Sequence, residues 1–432
     1  MSKELFEQRT KEYFGDDHAE YLESLKEPCH QGFFLNTNKA ERQDILDLVD
    51  FPYEESTYDE SSFSHSYDNI GKTIAYDLGL IYPQDTASSL TTKYIDTENV
   101  KTVVDMCAAP GGKTINILNR LPKDVLCIAN DVNHSRALIM SQNLERPGLD
   151  NVIITNKDCS VLADQLENFA DIVVLDAPCS GEGIVRKYPE VFDSYSLERI
   201  NQLADIQKQL LEDAYKILKG NGQLVYSTCT YSFEEDEDQI SSFLETHSDM
   251  YIVKIDLKSH SRLEGTVKLS PLEGTEGQFF CIMRKNDVDQ ESDISYLKTV
   301  TDKTLEKFIS ENLDLEEYYL YRYRDTYYMS LMPLPDLGSN IIRYGIKVGE
   351  MKNKRFELDH DFYRANSLKG HYRHVYELNE NELARYVEGY ELKADLKDAY
   401  YLLTYRNNSI GFAKCVNGTL KNKYPKGLRR VI

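Results

Sequence analysis

The chain has 432 residues, enough for two or three domains of ordinary size, and carries 72 acidic against 50 basic residues for a formal charge of −22. That excess of acid argues against a protein that coats nucleic acid by bulk electrostatics. The opening MSKELFEQRTKEYF is charged throughout, and no apolar run is long enough to span a bilayer or act as a signal peptide; the sequence predicts a cytoplasmic protein with no membrane partner.

Residues 1–95 read as a mixed N-terminal lobe, and GLIYPQDTASSL (79–90) leads from it into a sheet. From about residue 100, short β-branched runs alternate with helical patterns: TVVDMC, a helix from Lys113, VLCIAN, a helix from His134, NVIITN and DIVVLD. Ile200, Leu203, Ile206, Leu210, Leu211, Ala214, Ile217 and Leu218 then recur at helical spacing, and QLVYS follows as a strand. The alternation predicts an α/β, Rossmann-like core over 96–285: a mostly parallel sheet with helices on both faces and a ligand crevice at the carboxyl ends of its strands. The run KNDVDQESD (285–293) reads as a linker. Beyond it lie a connecting subdomain (294–375) and a small β-rich unit (376–432). From Tyr401 to Ile432 there is no acid, while Arg406, Lys414, Lys421, Lys423, Lys426, Arg429 and Arg430 add positive charge. With Tyr405 and Tyr424 among them, these residues have the makings of an RNA grip, by stacking and by phosphate pairing. A solvated basic edge on a small β domain is the plainer alternative.

The first strand runs into D-M-C-A-A-P-G-G-K-T (105–114), where Gly111 and Gly112 let backbone amides approach a ligand closely before the helix begins. GGKT also resembles the end of a P-loop, but the first glycine of that consensus falls on Cys107. Asp131, Asp158 and Asp176 stand at or just after successive strand ends. Each alone reads as a helix cap or turn residue; three together would line one crevice, where an acid after the second strand accepts hydrogen bonds from ribose hydroxyls.

The eight cysteines are scattered with no CxxC pair, so a disulfide scaffold, a zinc ribbon or any other metal site is not expected. Cys179 in D-A-P-C-S-G-E-G and Cys229 in Y-S-T-C-T each lie just beyond a strand of the same sheet. Either alone reads as a small buried hydrophobe. As a pair they suit one demanding reaction, methylation of cytosine C5, a carbon too weakly nucleophilic to attack until a thiolate has added to C6. A second group must then help the adduct lose its C5 proton and expel the thiolate, and Asp176 is placed to assist at N3 as a general acid. The base has to be unpaired or flipped out. Chemistry alone does not say which cysteine attacks.

These residues resemble the Nop/Sun family of RNA (cytosine-5) methyltransferases, and within it the bacterial ribosomal-RNA enzymes of the YebU/RsmF type. The likeness rests on NTNKA (36–40), GLIYPQDTASSL, DMCAAPGGKT, DAPCSGEGIVRK and YSTCTYSFEEDE, and continues more loosely through RYGIKVGEMKNKRFE and GTLKNKYPKGLRR. It implies S-adenosyl-L-methionine as cofactor, held by Cys107, Ala108, Ala109, Pro110, Gly111, Gly112 and Lys113, with Asp131 at the ribose, Asp158 on the adenine side and Asp176 near the methyl donor and the base. It implies that Cys229 is the nucleophile and Cys179 the residue that aids release, whereas DNA cytosine-5 enzymes attack with the P-C cysteine. Lys113 joins the catalytic set on the same ground. The N-terminal lobe and a PUA-like C-terminal region are implied to hold RNA, most simply 16S rRNA, with tRNA and a P-loop NTPase as the alternatives, and a monomer is favoured. Two departures stand out: Ser232-Phe233 followed by EEDE, where the family tends to proline and E-E-N-E, and ELDHDFYRA near residue 357.

Overall fold

A computed structural model describes residues 2–287, 292–352 and 355–431, so residues 288–291 of the expected linker lie outside the described residues. At its centre is a nine-stranded sheet. Five strands run parallel: β1 (Thr102–Asp105), β2 (Leu126–Asn130), β3 (Val152–Thr155), β4 (Ala170–Asp176) and β5 (Leu218–Thr228). Three short returns, β6 (Met250–Ile252), β7 (Val267–Leu269) and β8 (Gln278–Lys285), join antiparallel beside β5. The far edge is β9 (Ile341–Tyr344), antiparallel to β3. The order β6-β8-β5-β4-β1-β2-β3-β9 carries the chain outward from β1 to β3 and then back across to β4. The switch point, where ligands settle in such sheets, therefore lies between β1 and β4.

Alternation along each strand explains why the runs are apolar throughout: both faces are covered. Val104, Ile128, Ile153, Val173 and Leu175 face α3 (Cys159–Gln165), α4 (Leu197–Ile217) and α5 (Glu237–Thr246). Val103, Cys127, Ile154, Ile172 and Val174 face α1 (Gly112–Arg120) and α2 (His134–Glu145). The expected Rossmann-like core is thus present. No helix among the described residues is long and apolar enough to cross a membrane.

The flanking segments are less separate than their sequence implies. β9 comes from beyond the linker, and Tyr321, Tyr328, Leu334, Leu337 and Tyr344 share the hydrophobic core of the α3–α4 face. The strands Gln31–Leu35, Tyr53–Glu55, Ser62–His65 and Ile81–Pro83 make an antiparallel N-terminal sheet. Its Phe33 and Phe63 lie in one core with Tyr386, Val387, Tyr401, Leu403 and Tyr424 of the C-terminal unit, so the two ends of the chain fold on each other. Tyr424 is only 3 % exposed, which corrects the expectation that it stacks on a base. Part of the basic tail is also turned inward: Arg430 pairs with Asp77 at 2.7 Å and donates to the Lys72 carbonyl, and Arg429 donates to the Tyr424 carbonyl at 3.2 Å. Arg406, Lys414, Lys423 and Lys426 remain on the exposed side.

Candidate active site

The carboxyl ends of β1–β5 open into a cleft of about 790 Å³ whose wall brings together Cys107, Asp131, Asp158, Asp176, Cys179 and Cys229. Asp131, immediately after β2, is 2 % exposed; it accepts from the Asn133 amide at 2.8 Å and faces Arg136 at 3.4 Å. Asp158 is exposed and caps α3, accepting from the amide and hydroxyl of Ser160 at 3.0 and 2.8 Å. It therefore fills both readings, helix cap and cleft wall. Asp176, at the end of β4, takes a hydrogen bond from Ser227 Oγ at 2.8 Å and an ion pair from Lys113 Nζ at 2.8 Å. Lys113 also reaches Ser88 Oγ at 3.2 Å and is 8 % exposed, so its ammonium is held beside Asp176.

Within the glycine loop, Cys107 lines the cleft, its thiol pushed well up by the hydrogen bond with Cys159 and by burial. The Ala108 amide donates to the Asn130 carbonyl at 2.8 Å, the Ala109 carbonyl accepts from Arg136 and the Pro110 carbonyl from Asn143. Gly111 begins α1 with φ +107°, a conformation costly for any residue with a Cβ, and lies against Met140 and Leu144. A Cβ at Gly112 would meet Gln84 at 3.2 Å and Tyr82 at 3.3 Å, so the GLIYPQD segment lies close over this turn.

Beneath the loop, Asp105 is fully buried at the end of β1. One carboxylate oxygen accepts from Thr114 Oγ1 at 2.7 Å and the other has no partner. Burial, with Asp176 nearby, pushes its pKa up to about 7. An acid whose folded pKa exceeds its unfolded one holds more protons when folded, so stability falls as pH rises from the ordinary carboxylate range through 7. Asp105→Asn should therefore gain on wild type as pH is raised from 5 to 8; equal urea midpoints for the two proteins across that range would contradict the assignment.

The two cysteines that the sequence singles out lie on loops after the adjacent strands β4 and β5. Their sulfurs are 3.2 Å apart, and the Cys229 amide donates to Cys179 Sγ at 3.3 Å. Cys179 keeps its proton well above the usual thiol range, through the contact with Cys229 and through burial. The cleft also takes in Tyr195, Arg199, Ile206, Gln209 and Asp213. Helical periodicity marked Ile206 only as a core residue, and nothing local marks the others. Glu182 and Glu235, fully buried among the cysteine loops, were equally invisible, because a glutamate in a turn reads as solvated charge.

A doubly wound sheet with antiparallel returns beyond β5 and an acidic cleft at its switch point defines a methyltransferase of Rossmann-like fold. Residues 92–284 match the family described as 16S rRNA methyltransferase RsmB/F, and residues 373–430 match the RsmF methyltransferase PUA domain. The chain is 28 % identical to the ribosomal RNA small subunit methyltransferase F of Salmonella paratyphi A and 29 % to that of Escherichia coli O81, in each case over 95 % of this chain and 92 % of the relative. Among solved structures, a methyltransferase homolog from Pyrococcus horikoshii is 27 % identical with a TM-score of 0.57, covering 65 % of this chain and 94 % of that one. NSun6 from the same organism, solved with SFG, is 22 % identical with a TM-score of 0.58 over 66 % of this chain and 98 % of that one, a likeness of fold. Over residues 92–284 this protein carries the domain of the RsmB/F 16S rRNA methyltransferases and over 373–430 the RsmF PUA domain, the make-up of an S-adenosylmethionine-dependent enzyme that methylates ribosomal RNA.

Proposed function

We propose that the protein methylates C5 of a cytidine in 16S ribosomal RNA through a transient bond between Cys229 Sγ and C6. The observation that carries this reading is the pair of thiols, 3.2 Å apart on neighbouring strand ends, in the same cleft as Asp176.

The cleft suits a cationic, amphipathic cofactor. Asp131, Asp158, Asp176 and Asp213 supply acceptors and negative charge, and Val132, Ile206 and Leu210 supply apolar walls. A triphosphate meets the opposite of what it needs, since carboxylates line the cleft and the one P-loop-like lysine is neutralised by Asp176; this weighs against an NTPase. Asp131 is the residue proposed for the ribose hydroxyls, Asp158 for the adenine side, and the Cys107–Lys113 turn for the cofactor's near edge. When bound, S-adenosylmethionine supplies an electrophilic methyl group. Loss of hydrogen bonds to one ionised acceptor costs about 1.5–3 kcal/mol. Asp131→Ala is accordingly expected to weaken S-adenosylmethionine binding by roughly 10- to 100-fold in calorimetry, with RNA affinity unchanged.

Cys179 holds its proton through the contact with Cys229 and through burial, and its S–H lies 3.2 Å from Cys229 Sγ, placed to donate to that sulfur during attack. Addition of Cys229 Sγ to C6 moves electron density toward N3, where Asp176 is placed to assist, and makes C5 the nucleophile toward the methyl group. In the adduct Cys229 is a neutral thioether. Cys179 then gives its own proton to solvent, and the resulting thiolate takes the C5 proton. The electron pair of the C5–H bond re-forms the C5–C6 double bond and expels Cys229 as a thiolate. Mapping of 5-methylcytidine by mass spectrometry in ribosomal and transfer RNA, with and without the protein, tests the proposal. A 16S cytidine that loses its methyl group supports it; loss confined to tRNA, or to no cytidine, overturns it.

A further inference from the structure

We infer that Glu182 and Glu235 form a reciprocal brace between the two cysteine loops, the carboxylate of each loop positioning the cysteine of the other. Glu235, on the segment after Cys229, accepts from the amide of Ser180, the neighbour of Cys179, at 2.9 Å. Gln207 of α4 joins it, donating to Glu235 at 3.0 Å and to the Pro178 carbonyl at 2.8 Å, so both flanks of Cys179 are held. Glu182, on the segment after Cys179, returns the contact: it accepts from Thr230 Oγ1 at 3.0 Å and from the Tyr231 amide at 3.1 Å, the two residues after Cys229. The hydroxyls of Ser180 and Thr230 meet at 2.7 Å between the two carboxylates, and the Gly183 amide donates to the Cys229 carbonyl at 2.9 Å.

Both carboxyl groups are 0 % exposed. Burying an acid is costly unless its hydrogen bonds are specific, and apolar residues would close two turns more cheaply. What apolar residues cannot do is fix two backbones against each other in one register. The register matters because the thiols must reach adjacent atoms of one ring, and a displacement of about 1 Å at reacting atoms costs on the order of 100-fold in rate. Arg9 of the N-terminal helix Ser2–Phe14 lies 3.8 Å from Glu182 and pairs with Glu234, which ties the helix to the back of the brace. Burial pushes the Glu235 pKa up to about 7, so Glu235→Gln imitates a form the native residue already populates at neutral pH.

This inference rests on the proposed reaction for its kinetic consequences alone; the geometry is tested without RNA. Dibromobimane, which links two neighbouring thiols, is reacted with the wild type, Glu235→Ala, Glu235→Gln and Thr230→Val, and the Cys179–Cys229 bridge is quantified by peptide mass spectrometry. Glu235→Ala should bridge more slowly and lose roughly 10- to 100-fold in kcat with KM for RNA and S-adenosylmethionine little changed. Glu235→Gln, which keeps an acceptor for Ser180, should recover most of both. Thr230→Val, which removes one hydroxyl and leaves both carboxylates, should show a smaller fall in the same direction and serves where the alanine variant does not fold. Wild-type bridging in these variants, or a loss seen only in KM, overturns the brace. A wild-type protein that bridges its thiols but forms no 5-methylcytidine instead overturns the reaction, and slower bridging in the variants would still uphold the brace.

Discussion

Cys179→Ala is expected to accumulate a covalent RNA–protein complex that survives denaturing electrophoresis, while Cys229→Ala forms none and loses methylation by at least on the order of 10³-fold. The asymmetry follows from when each thiol acts. Without Cys229 nothing adds to C6, and C5 never becomes a nucleophile. Without Cys179 the addition and the methyl transfer still proceed, and the reaction stops where the C5 proton must leave. The trapped complex should therefore require S-adenosylmethionine and carry a labelled methyl group, and a complex without the label would place the block earlier. The order of the two roles comes from the family resemblance, and the geometry is compatible with it: the Cys179 S–H lies 3.2 Å from Cys229 Sγ. A complex formed by Cys229→Ala and absent from Cys179→Ala would show the roles exchanged.

Much of this site was legible in the chain because its parts are local. Each carboxylate and cysteine falls at the end of a strand that announces itself by a β-branched run, and parallel topology gathers strand ends at one edge. Asp131, Asp176, Cys179 and Cys229 needed nothing more. What escaped depends on distant partners. β9 pairs with a strand nearly two hundred residues earlier, so its four residues give no sign that they belong to the central sheet. The basic tail reads as a solvated stripe until Asp77 takes up Arg430 and the N-terminal sheet covers Tyr424. Lys113 reads as a cofactor or base contact, and the partners that place it, Asp176 and Ser88, lie on distant segments. Glu182 and Glu235 are the sharpest case: in SGEG and EEDE they look like ordinary surface acids, and only the approach of two loops about fifty residues apart buries them.

Lys268→Met should destabilise the protein by about 3–5 kcal/mol, the usual loss when one partner of a buried ion pair is removed and the other stays. Lys268 is 1 % exposed on β7, and its ammonium meets Glu237 at 2.8 Å, Asp236 at 3.2 Å and the Tyr231 carbonyl at 2.8 Å. Methionine fills the space and leaves two carboxylates in the core without a counter-charge. Burial already pushes Asp236 well above the ordinary carboxylate range even with the lysine beside it. Without the lysine its folded pKa rises further, so the folded state of the variant binds the extra proton and its deficit should shrink as pH is lowered from 8 toward 5.5. The damage should also reach the site, because Asp236 accepts from Thr228 Oγ1 at 2.6 Å and Thr228 directly precedes Cys229. Thermal denaturation at several pH values tests the cause. Adding Asp236→Asn and Glu237→Gln to Lys268→Met removes both stranded charges and should restore most of the melting midpoint at pH 8. If the triple variant melts as low as the single one, the loss comes from packing around the lysine stem instead of from unpaired charge.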